Sequence, residues 1–217
     1  NTLVRIYKIL KEAYEPGTPV DREFTRKTAK LVREHTKSGE IKSSLEIYEI
    51  DEKTLKKLEE SEVSDTEKVF NLIRSINNEI INQSRSDPYL ISIGEKVELL
   101  SLLYKQRQKD TKETLAELKK KIEEINSAKK ERVEKNMSPE IFSIYWILKN
   151  ENIPDAENKS KQMNGVLGKY PYWRTSEEHE RKVKQELYKI FTKSKIEIKK
   201  SVEIANKIIK ILKGDVS

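Results

Sequence analysis

Pro154-Asp155-Ala156-Glu157-Asn158-Lys159 sets two carboxylates and a lysine within six positions, the residue types that metal-dependent phosphodiester cleavage uses. That chemistry needs the carboxylates to converge on one divalent ion, from separate and neighbouring strands. Asp155 and Glu157 stand two residues apart at the start of a predicted helix, where they point away from each other. The stretch therefore reads as a chance match. The two histidines, His35 and His179, stand at polar helix ends without a second histidine at ligand spacing, and a solvated or capping role suits both. Glu123-Glu124 and Glu177-Glu178 are charge doublets on helices. The absence of cysteine removes disulfides, thiolate zinc sites, iron-sulfur clusters and thiol catalysis together. No glycine-rich phosphate loop and no GxGxxG occurs, so no nucleotide cradle can be proposed.

The aromatic stretch Gly168-Lys169-Tyr170-Pro171-Tyr172-Trp173-Arg174-Thr175 lies in surroundings of Lys, Glu and Ser. Tyr172, Trp173 and Arg174 can form a packed corner between two helices, because Trp and Tyr bury large areas while their polar edges stay wet. The same residues can dock a protein, or stack on single-stranded bases. The corner reading places a buried Trp173 between the helix after Pro154 and the helix starting at Thr175.

Basic charge is concentrated in one place. The net charge of +7 arises entirely within residues 181–213, where eleven Lys/Arg face three Glu. If residues 176–213 form one long helical segment, Val183, Leu187, Ile190, Phe191, Ile198, Val202, Ala205, Ile209 and Leu212 share a face. Lys182, Lys189, Lys193, Lys200 and Lys207 then line the opposite face, provided that no break falls near Thr192–Ser194. Such a line is either a solvated surface or a stripe for phosphates or an acidic partner. As a phosphate stripe it would bind duplex DNA weakly, mainly at low salt.

The elements that position these residues read as helices throughout. Leu3, Ile6, Tyr7 and Leu10 give a first helix, and Phe24, Ala29, Leu31 and Val32 a second after the Thr18-Pro19 start. Asp51 can cap a short helix, Ser64-Asp65-Thr66-Glu67 is a capping box, and Asp87-Pro88 and Asp110 start two more. Ser138-Pro139 launches the apolar run Ile141 to Leu148, a further helix follows Pro154, and Thr175-Ser176-Glu177-Glu178 is another box. Residues 44–50 alternate like a strand yet have no visible partner strand, so they stay open between extended and helical. The fold class is all-α, a multi-helix bundle of about eight helices with little or no sheet. One domain over residues 1–217 accommodates them.

A charged fraction of 37% with regular aliphatic patterning argues against disorder and for long solvated helices. No apolar run approaches the roughly 18 residues of a membrane span, and a cysteine-free chain is by default cytoplasmic. The sequence opens on Asn1-Thr2-Leu3 inside an amphipathic pattern and reads as a fragment of a longer chain.

Pro171, Trp173 and Arg174, followed by Glu186, Leu187, Tyr188 and Ile190, resemble the C-terminal helical region of the R (restriction and motor) subunit of type I restriction-modification enzymes. There a proline-aromatic-Trp-Arg element precedes a charged helix ending in Leu-Tyr-x-x-Leu/Ile. Pro19 to Ile41, with its Asp21-Arg22-Glu23-Phe24-Thr25-Arg26-Lys27 run, is similar to an upstream part of the region, as is Ser138-Pro139-Glu140. The resemblance implies a parent subunit that is an ATP- and Mg-dependent DNA translocase and endonuclease. Its nuclease and motor motifs do not occur here, so the fragment itself holds no catalytic residue, cofactor or metal. It implies a non-catalytic assembly role, docking the motor subunit onto the methyltransferase and specificity subunits, with weak contact to duplex DNA. A free-standing α-helical nucleic-acid-binding module is the alternative.

Overall fold

The computed structural model describes residues 46–214, which form eight α-helices and no strand. In chain order they are α1 (Thr54–Glu60), α2 (Asp65–Gln83), α3 (Tyr89–Lys105), α4 (Thr111–Lys135), α5 (Pro139–Asn150), α6 (Ala156–Lys169), α7 (Glu177–Lys193) and α8 (Ile198–Lys213). The two helices expected before residue 42, the Pro19–Ile41 part of the resemblance and His35 lie outside the described residues. The described chain is an all-α multi-helix bundle.

Four of the eight helices, α2, α4, α5 and α7, start where a side chain takes an orphaned N–H group of the first turn. Ser64 Oγ accepts from the Glu67 N–H while the Glu67 carboxylate accepts from the Ser64 N–H, and Asp110 and Glu113 repeat the exchange. Ser138 caps α5 with Pro139 in the first turn. Helix α3 has no cap of its own; Ser143 on α5 accepts the Tyr89 N–H at 3.0 Å. At α7 the predicted box from Thr175 to Glu178 is shifted by one residue. The Thr175 and Ser176 N–H groups both bond to Tyr172 O, so the turn winds past Thr175 and Ser176 becomes the cap, accepting from His179 N–H.

Helix α5 explains the apolar run. Phe142, Tyr145 and Trp146 face a core made with α2, α3 and α4, where Tyr89, Phe142 and Trp146 stack edge and face. Ile144, Ile147 and Leu148 face a second core made with α6, α7 and α8. A helix apolar on all sides has to be central.

Residues 46–50, ahead of α1, lie in neither a helix nor a strand, and 44 and 45 fall outside the described residues. Their hydrogen bonds go to side chains instead: Asn71 Oδ1 and Ser75 Oγ, one turn apart on α2, accept the Glu46 and Tyr48 N–H groups at 3.0 and 2.8 Å. From α4, Lys129 Nζ and Asn126 Nδ2 donate to the Ile50 and Asp51 carbonyls. The two-residue step along the segment matches the four-residue step of a helix face closely enough for both bonds to form. Ile50 is thereby drawn into the first core.

Ion pairs tie the helices outside the cores. Lys96 meets Glu124 at 2.8 Å, Lys149 meets Glu131 at 2.6 Å and Lys135 meets Glu157 at 2.8 Å. Glu180 on α7 is held between Lys184 and Lys213, and the Lys213 contact crosses to α8 at 2.5 Å. Hydrogen bonds from Lys184 and Lys213 hold the Glu180 carboxyl below its ordinary value of 4.5, against the opposing effect of burial. A carboxylate with a lowered folded-state pKa contributes stability above its unfolded value, and that contribution is lost as pH falls through the folded value. Glu180→Gln is accordingly expected to melt below the parent at about pH 7, with the gap narrowing as the pH falls below the ordinary carboxyl value. Thermal scans at neutral and low pH check this, and an unchanged gap at low pH would contradict it.

Candidate functional site

The Trp-Arg element forms the corner between α6 and α7. Trp173 is 2% exposed and belongs to the same core as Met163, Val166 and Leu167 of α6 and Val183 and Leu187 of α7. Its backbone N–H bonds to Tyr170 O at 2.9 Å, closing the turn that swings the indole inward. The Arg174 guanidinium lies over the indole, 4.4 Å from the ring centroid, and shields its solvent edge by a cation-π contact. Tyr172 points out and is 66% exposed. Its ring and that of Tyr170 both approach His179, at 5.7 and 5.9 Å, so the imidazole sits among aromatics at the first turn of α7. No described residue bonds its Nδ1.

The single lysine line does not form, because α7 ends at Lys193 and α8 begins at Ile198. A continuous helix over 176–213 would extend about 57 Å and leave the Ile204, Ile208 and Ile211 positions without a core. Folding back buries all three. It also resets the helical phase, so that Ile198, expected on the apolar face, stands 76% exposed. The five lysines part accordingly. Lys182 and Lys189 pair with Glu178 and Glu186 on α7 itself, each at 2.6 Å. Lys200 donates to the Glu151 carbonyl and Lys207 meets the Glu151 carboxylate, both at 2.9 Å, which pins α8 to the end of α5. Lys193 remains exposed at the turn.

That turn is built as a helix C-cap. The Ile196 N–H bonds to Phe191 O, the Lys195 N–H bonds to Thr192 O, and Ile196 packs into the core that holds Phe191. This is the Schellman arrangement, and the residue between takes the left-handed conformation that glycine adopts without strain. Here it is Lys195, at φ 57°. A side chain there costs about 1 kcal/mol. Lys195→Gly is therefore expected to raise the melting temperature by about 2 to 4 °C, and a fall would contradict the strain. Neither Gly nor Pro marks the break in the sequence. The signal that was available is the pair Phe191 and Ile196, five apart, at the spacing of the apolar contact that closes such a cap.

Asp155, Glu157 and Lys159 do not converge. Asp155 Oδ1 accepts from Asn158, Glu157 pairs with Lys135 and Lys161, and Lys159 donates to Pro154 O. Among the described residues no group of three acidic or histidine side chains could hold a metal ion, and no helix is long and apolar enough to cross a membrane. An open hollow along α4 at Ser127, Lys130, Glu131, Glu134 and Lys135 lies on a single helix face. Burial there opposes ionisation of Glu131, but hydrogen bonds from Lys149 and Tyr145 outweigh it and keep the carboxyl below its ordinary range.

The chain was compared with family models, curated proteins and solved structures, and matches none. The chemistry of the surface is left to carry the functional reading.

Proposed function

We propose that the chain is a non-catalytic helical assembly domain of the kind that ends type I restriction R subunits, docking a motor subunit onto its methyltransferase and specificity partners. One observation supports the reading above others. Five of the residues that carry the resemblance make one structural unit: Trp173 and Leu187 share a core, Tyr188 and Ile190 pack against it, and Arg174 covers the indole. A signature whose members lie together in space can be kept by packing alone, as a fixed corner that joins α6 to α7. Dispersal of the lysine line weighs against the free-standing nucleic-acid module, since four of its five members are engaged within the fold.

Co-elution tests the proposal. Mixed with methyltransferase and specificity subunits from the same source, the chain is expected to move to the size of the joint complex on gel filtration. Elution at its own volume at concentrations of tens of micromolar would refute it. ATP hydrolysis or DNA cleavage by the chain alone at homogeneous purity would also count against it.

A further inference from the structure

The turn between α7 and α8 carries an exposed apolar side chain within six positions of three exposed lysines that form no ion pair with a described residue. Ile198 is the most exposed isoleucine of the described chain, at 76%. Lys193, Lys195 and Lys199, near it in the sequence, are exposed and form no ion pair with any described residue. On the same two helices Lys182, Lys184, Lys189, Lys207, Lys210 and Lys213 all meet a carboxylate. Glu197 is the only acidic residue from 187 to 202. The imbalance is local to the tip.

We propose that this tip is a docking surface for an acidic protein segment that sets an apolar side chain against Ile198. Charge complementarity argues for the occupant. An interface patch has an apolar centre and a polar rim, and the tip supplies one exposed apolar side chain and three exposed cations. A duplex would use the lysines for phosphates and leave Ile198 in water. Lys195, one of five non-glycine residues at positive φ among those described, keeps a charge at the tip where glycine would be unstrained. The proposal deepens the docking reading and takes its partner from it.

Titration of the isotope-labelled chain with a random copolymer of glutamate and tyrosine, and separately with a short DNA duplex at equal ionic strength, tests the surface directly. The copolymer is expected to shift the amide signals of residues 193–200, and Ile198→Ser with Lys195→Gly and Lys199→Ser to weaken binding roughly tenfold through the loss of two charges and the apolar centre. The remaining spectrum of the triple variant reports that it stays folded. Shifts spread over lysines elsewhere, equal binding by the triple variant, or tighter binding of the duplex than of the copolymer would overturn the proposal. The co-elution experiment separates the two readings. If the wild-type chain and the triple variant both join the methyltransferase complex, the tip inference falls and docking stands. If the copolymer marks the tip but neither protein joins the complex, the tip stands and the docking reading falls.

Discussion

Trp173→Ala is expected to lose about 3 to 5 kcal/mol of stability, the range for truncating a buried aromatic. The residue is almost wholly enclosed, touches the cores of both α6 and α7, and has Arg174 stacked on its outer face. The loss would include the cavity left in the second core and the release of the guanidinium from its ring. Against a typical total of about 5 to 15 kcal/mol this can unfold the C-terminal half at growth temperature. Trp173→Phe keeps an aromatic in the corner and is expected to lose clearly less, so the pair separates packing from collapse. Chemical denaturation monitored by the remaining Trp146 measures both. A Trp173→Ala midpoint level with the parent would mean that the indole does not hold the corner.

The double substitution Asn71→Ala with Ser75→Ala is expected to release the segment ahead of α1 at a cost of about 2 to 4 kcal/mol, taking roughly 1 to 3 kcal/mol for each polar group left without its partner. Both side chains are buried on α2, and both accept from backbone N–H groups of a stretch that has no partner strand. Glu46 is near the surface, where water can replace Asn71, so most of the effect arises at Tyr48. Ser75 also donates to Asn71 O at 2.7 Å, which makes the two changes non-additive. Amide exchange at Tyr48 and Ile50 reports the release. Exchange as slow as in the parent would show that Lys129 and Asn126 alone suffice to hold the segment.

These two sites mark the limits of what the sequence reveals. Caps are local, and Ser64, Asp110 and Ser138 each announce a helix through side chains only three residues from the groups they satisfy. The all-apolar α5 is legible for a similar reason, because no face of it is left for water. The bonds from Asn71 and Ser75 are not legible, since they join residues 25 and 27 positions apart and the polar pair looks like a flaw in a helix face until the segment ahead of α1 is laid on it. The end of α7 falls between these cases. Helical periodicity passes through Lys193–Glu197 with little change, and the break is decided by the core that Ile204, Ile208 and Ile211 find only after the chain turns back. Among candidate site residues, the same turn sets Lys193 apart from the four other lysines and brings Lys195, Ile198 and Lys199 forward in their place.

The most direct test of the assembly role is competition. Excess chain is added to methyltransferase and specificity subunits before a full-length R subunit from the same source, and ATP-dependent DNA cleavage by the mixture is followed. Cleavage is expected to fall in proportion to added chain, and Trp173→Ala, at equal concentration, to inhibit far less. Undiminished cleavage at saturating chain, with the full-length subunit binding as tightly as before, would contradict it.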